Sequence, residues 1–221
     1  EEDQEAALIT LRRNALHRMA EDRDYLERFG VPSAALSGPS SEIDDPSSPL
    51  LPDDFVLYLN YSGVADSYTR NVADVASQLT RVRRIEAIRT SAPHGSPVGS
   101  LYSVRRPYGV HYNETGRGMH NAVDLLAGER AIVHSTAPGS VVFTGALEGL
   151  GLCVEIDHGH GFKTRYARLS MNAVTAGQHV AFNQVVGQLP SGASGGDVYL
   201  HYEIWFRGRA IDPAAFLEAR G

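Results

Sequence analysis

A single cysteine, Cys153, stands in this chain of 221 residues. It excludes an intrachain disulfide and any thiolate zinc site, and it does not choose between a reducing and an oxidising compartment. No run of about 18 apolar residues occurs, so nothing reads as a membrane span. No signal-peptide pattern is visible either. The first residue is not Met, and a membrane anchor upstream of Glu1 is expected. Positive charge is short: the net charge is -6 and the pI about 5.8. Phosphate binding needs a basic surface, so nucleic acid is not expected as a partner.

Hydrophobic content of 43% and charged content of 21% are ordinary for a soluble globular chain. The length suits one sizeable domain or two small ones. Leu8, Leu11, Ala15, Met19, Leu26 and Phe29 recur at helical spacing with one gap at Asp22, which predicts a helix over 5–29. Gly30-Val31-Pro32 ends it. Residues 31–54 are rich in Pro and Ser and read as an irregular linker. "FVLYLNYS" (55–62) is a short strand or a packing segment. Tyr68, Val72, Val75, Leu79, Val82 and Ile85 predict a second helix over 65–89 with a narrow apolar stripe. That stripe suits a coiled-coil or helical-hairpin contact, through which the chain would form homo- or hetero-oligomers. A helix packed on its own domain explains it equally well.

Beyond "TSAPHGSPVGS" the character changes. "GSVVFTGA", "GLCVEIDHG", "GFKTRYARL" and "QVVGQL" are short strand-like runs separated by glycine turns. They predict an all-β domain of antiparallel strands after a helical region: an α+β chain with domains at 1–92 and 93–221. In "VYLHYEIW", Val198, Leu200 and Tyr202 fall on one face, and Tyr199, His201 and Glu203 on the other. In "RGMHNAVDLLA", His120 and Asp124 are four apart. A helix brings such a pair within reach of one metal ion. A straight strand holds it about 13 Å apart. A metal reading therefore requires either a helix or a bend.

Several segments in order resemble the lysostaphin/LytM-type zinc peptidases, which cleave peptide cross-links in bacterial peptidoglycan. "RGMHNAVDLLAGERAIVHSTAPGSVVFTGA" is similar to the family's first motif and "VEIDHGHGFKTRYARLS" to its second, which normally ends Tyr-x-His-Leu. "VTAGQHVAFNQVVGQLPSGASGGDVYLHYEIW" is similar to the third, which normally ends His-x-His before an aromatic residue and Glu. "GRAIDPAAFL" matches the usual close. The resemblance covers about residues 101–217 and implies a metal site made by His120, Asp124 and His201. It places Asp124 on a strand and His120 on the loop entering it, with a bend between. Two imidazoles and a carboxylate suit Zn2+ and leave a fourth position open for water.

The departures are as specific as the matches. At the places of the family's two catalytic histidines stand Arg168 and Tyr199. A positioned acid–base is worth on the order of 10²–10⁴ in rate, roughly 3–5 kcal/mol of barrier. Arginine is not deprotonated in proteins, and tyrosine, with a reference pKa of about 10, is a poor base at neutral pH. Both remain able to stabilise an oxyanion. A guanidinium near the metal weakens its binding unless Glu203 or another acid pairs with it. The expectation is a catalytically degenerate domain that binds peptidoglycan peptides, or docks an active cell-wall hydrolase or a morphogenetic or division protein. The alternative is an active zinc endopeptidase using Arg168 and Tyr199. Either use implies a periplasmic or cell-surface location.

Other histidines read as structural. His158 and His160, in "DHGHG", are expected in an exposed hairpin turn. His94 and His179 fit surface loops, and His17 an exposed helix face. His111 and His134 have no assigned place. A biotinyl- or lipoyl-type carrier is a third reading, invited by "GQHVAFNQVVGQL". It needs a lysine at a hairpin tip, and the only lysine, Lys163, sits beside Phe162 in a strand-like run.

Overall fold

The computed structural model describes residues 2–36, 67–113, 116–192 and 197–218. The segment 55–62 and most of the linker 31–54 lie outside these. The chain divides into two compact units, 1–89 and 90–221.

The described residues of the first unit form α1 (Glu2–Arg28), α2 (Ser33–Leu36) and most of α3 (Ser67–Ser91). Ion pairs Arg12–Asp74, Arg18–Glu86 and Asp22–Arg89 join α1 to α3. Their numbers rise together, so the two helices run parallel rather than as a hairpin. Gly30, with φ 76°, terminates α1 as its sequence position predicts. Val75, Val82 and Ile85 of the α3 stripe are buried. Leu79 is half-buried, and this burial favours the reading of a helix packed within its own unit.

Among the described residues the second unit is built from thirteen strands and one short helix. Its main antiparallel sheet runs in the order β1 (Ser103–Arg106), β4 (Val123–Leu126), β12 (Tyr199–Phe206), β8 (Phe162–Leu169), β7 (Gly151–Gly159), β6 (Gly139–Leu147) and β10 (His179–Val180). The second half of β12 also carries β13 (Arg209–Ile211). A three-stranded sheet joins β5 (Ile132–His134), β11 (Val185–Gln188) and β9 (Met171–Asn172), and β2 (Gly109–Asn113) pairs with β3 (Gly116–His120). The helix α4 (Ala214–Glu218) follows β13.

The predicted alternation of β12 holds. Leu200, Tyr202 and Ile204 are fully buried, together with Phe162 and Tyr166 of β8 and Val154 and Ile156 of β7. Val133, Val186 and Leu189, from and beside the smaller sheet, are buried as well. Thr136, just past β5, ties the layers: its hydroxyl meets the hydroxyls of Tyr166 at 3.0 Å and Tyr202 at 2.8 Å. Aromatic residues thus fill the core while their polar ends find partners.

Candidate metal centre

His120 ends β3, and two intervening residues lead into β4, which carries Asp124. The chain bends at Asn121-Ala122, with Ala122 fully buried. The bend removes the separation a straight strand would impose. His120 therefore sits at a strand end rather than on a loop. Antiparallel pairing then sets Asp124 directly beside His201 of β12. His120, Asp124 and His201 each offer a donor atom, all within 4.8 Å of one another. His120 Nε2 lies 3.3 Å from Asp124 Oδ1, and His201 Nδ1 lies 2.8 Å from the same oxygen. Tetrahedral zinc ligands at about 2.0–2.1 Å from the ion are spaced by roughly 3.3 Å. The three side chains could hold such an ion with little movement.

The outer nitrogens are already engaged. His120 Nδ1–H donates to the Pro107 carbonyl at 2.9 Å. His201 Nε2–H donates to Glu203 Oε1 at 3.2 Å. Such bonds fix ring orientation and leave the inner nitrogens facing a common point. Glu203 is held in turn by Arg165 Nη1 at 2.9 Å and by the Trp205 indole N–H. Arg165 Nε also donates to Glu155 at 2.7 Å. The partner of Glu203 is therefore Arg165, not Arg168.

Charge follows from this wiring. Burial opposes ionisation of Asp124, but the hydrogen bond from His201 and the nearby His120, His201 and Arg105 lower its pKa. Burial likewise disfavours a charged His201, yet hydrogen bonds to Asp124 and Glu203 outweigh it and raise the pKa. The protonated ring donates to both carboxylates. A metal ion held here would take the place of the inner proton on His201 Nδ1.

Arg168 and Tyr199 come together one step along the same face. The Arg168 guanidinium lies 4.6 Å from the Tyr199 ring centre, and that of Arg105 lies 4.5 Å from it. Arg105 was not signalled by the sequence, yet its guanidinium lies 3.9 Å from Asp124. Arg165, Trp205 and Pro107 were missed too. The period-2 alternation of "HYEIW" placed Trp205 on the His201 face, a signal that could have found it. His111, unplaced before, donates to Pro107 at 2.9 Å with its ring 5.8 Å from that of His120.

His158 corrects an expectation. It is buried in β7, not exposed in the turn, and donates to the Pro138 carbonyl at 2.8 Å. Its other nitrogen meets the Thr164 hydroxyl at 2.7 Å. Gly139 allows this approach, since a Cβ there would lie 2.9 Å from His158 Nδ1. His160 does occupy the turn, with its Nδ1 2.9 Å from Ser91 Oγ. His179 pairs at a strand edge rather than in a loop, and His94 stacks on Phe182. Lys163 lies in β8 beside Asp157, not at a hairpin tip.

Residues 118–213 match peptidase family M23. The chain is 31% identical over 108 residues to "Uncharacterized lipoprotein YgeR" of Escherichia coli (strain K12), covering 48% of this chain and 43% of that protein. It is 29% identical over 126 residues to "Murein hydrolase activator EnvC" of the same organism, covering 56% and 30%. A zinc containing peptidase from Vibrio cholerae superposes with a TM-score of 0.51 at 29% identity, covering 58% of this chain and 40% of that one. The chain spans less than half the length of each of these three.

Proposed function

Because residues 118–213 form a domain of peptidase family M23, we propose that the chain acts in cell-wall remodelling as a catalytically degenerate member of that family. It binds peptidoglycan peptides, or docks and regulates an active cell-wall hydrolase. One observation carries this reading: Arg168 and Tyr199 stand stacked beside the His120–Asp124–His201 group, where the resemblance puts proton-handling histidines. A guanidinium does not accept a proton, and a phenol is a poor base at neutral pH. Similarity to a protein named as a murein hydrolase activator supports the regulatory use. Similarity to a protein named as a lipoprotein supports a place in the cell envelope, periplasmic or at the surface, attached to a membrane.

His120 Nε2, Asp124 Oδ1 and His201 Nδ1 are the atoms that would hold Zn2+, a role that two imidazoles and one carboxylate suit. Bound zinc supplies Lewis acidity and a more acidic water. The chain's own contribution is orientation: Pro107 and Glu203 set the two rings, and Arg165 and Trp205 set Glu203.

That complete ligand support, with the likeness to a zinc containing peptidase, favours a second reading. In it the domain is an active zinc endopeptidase in which Arg168 and Tyr199 stabilise the oxyanion. Digestion of purified cross-linked peptidoglycan with added zinc decides between them. We expect no released fragments. Zinc-dependent release that vanishes in His120→Ala and falls in Arg168→Ala and Tyr199→Phe, with metal retained in the latter two, overturns the degenerate reading.

A further inference from the structure

We propose that Arg168 and Tyr199 form a subsite for the terminal carboxylate of a short peptide, beside the candidate metal centre. A cavity of about 240 Å³ opens at this point. Leu152, Leu169 and Pro190 give it apolar walls, while Arg168, Tyr199 and Asp197 line its polar edge. Pockets for drug-sized ligands run to about 300–1,000 Å³. This one suits a small chain end and not a folded segment.

The two arginines on Tyr199 are not equivalent. Arg105 Nε donates to Asp197 at 3.0 Å, and its Nη1 lies 3.9 Å from Asp124, so two carboxylates neutralise it. Arg168 has no carboxylate partner among the described residues, and it is exposed. The contact with Tyr199 holds the guanidinium in place, and a guanidinium carries a rigid N–H edge. That edge matches a carboxylate with two parallel hydrogen bonds.

The backbone adds an independent observation. Arg168 has φ 66°. It is the extra residue of a β-bulge, since Leu169 pairs with Leu152 and Ala167 with Cys153. Glycine adopts this left-handed conformation freely, whereas a side chain there is strained. Strain of this kind gathers at functional sites. A long cation held where glycine fits better, at the mouth of a cavity, points to a ligand of opposite charge.

The subsite rests on the reading of the domain as a peptide-binding module, and the test separates the two. The full chain is titrated by NMR with N-acetyl-D-alanyl-D-alanine, with its C-terminal amide, and with N-acetyl-alanyl-glutamic acid amide, whose only carboxylate is on a side chain. We expect the free acid to bind at least about tenfold more tightly than the amide. That preference should disappear in Arg168→Gly, which should melt at no lower temperature, and return in part in Arg168→Lys. Equal affinity for acid and amide, no binding of the acid, or undiminished preference in Arg168→Gly overturns the subsite. Equal binding of the side-chain acid overturns its specificity for a chain end. Co-sedimentation with purified peptidoglycan tests the wider reading. Retention without discrimination removes the subsite alone. Discrimination without retention removes the cell-wall function and leaves the subsite standing.

Discussion

His201 and His158 sit on strands of one sheet, and burial pushes both toward the neutral form. They nevertheless part in opposite directions. His201 faces carboxylates at both nitrogens, and its pKa rises. His158 faces a carbonyl and a hydroxyl, and burial pulls its pKa to about 4, against the smaller pull of the Pro138 hydrogen bond and the Asp157 charge. Partners, not depth, decide protonation here. The chain through His158 continues over neutral groups, Thr164, Tyr166, Thr136 and Tyr202, and closes inside the core. The chain through His201 runs over charged groups, Asp124, Glu203, Arg165 and Glu155, and keeps a cation position at its centre.

Breaking the charged chain should cost most. Glu203 is 3% exposed and accepts bonds from Arg165, Trp205 and His201. Glu203→Ala strands the buried end of Arg165 and should lower unfolding free energy by about 3–5 kcal/mol in a denaturant titration. A loss under about 1 kcal/mol would show that Glu155 alone satisfies Arg165.

The neutral chain gives the next effect, through pH. The folded pKa of His158 lies below its unfolded value of 6.5, so the unfolded state binds the extra proton. The contribution is complete above pH 6.5 and is lost as pH falls toward about 4, a decline on the order of 3 kcal/mol. His158→Gln should flatten this part of the stability–pH curve. An identical slope in the variant would assign the proton elsewhere.

Zinc sharpens the contrast at the other histidine. At a hundredfold excess over its dissociation constant, a bound ion stabilises by about 2.7 kcal/mol. Thermal unfolding with and without zinc should show this gain in the parent and in His158→Gln, and none in His120→Ala. A gain that survives His120→Ala would place the ion at another site.

The smallest effect is expected at Arg168, the strained residue next to the charged chain. Arg168→Gly relieves its φ of 66° while removing the contact with Tyr199. Stability should stay level or rise by up to about 1 kcal/mol. A clear loss would make Arg168 a structural residue rather than one kept for binding.

Much of this was legible from the chain. Alternation in "VYLHYEIW" separated Tyr199, His201 and Glu203 from Leu200 and Tyr202, because side chains on a strand point to opposite faces in turn. The same rule carried the strands at "GLCVEIDHG" and "GFKTRYARL". It failed for His158, because Gly159 and Gly161 just after it suggest a turn. The strand continues through Gly159 and the turn begins at His160. Arg105 and Arg165 were not legible as site residues. An arginine on a strand carries no local sign of which carboxylate it will meet across a sheet.

Periodicity and the order of segments sufficed for the classes of element, their antiparallel sheet and the residue types able to take a metal. Those properties are local, written in spacing and side-chain chemistry. Pairing across strands then chose the contacts. Register set His201 opposite Asp124, and a two-residue bend brought His120 to the same oxygen. The same pairing gave Glu203 to Arg165 and left Arg168 facing a cavity. Such choices join residues far apart in the chain. They arise only when strands settle side by side and every buried polar group must find a partner.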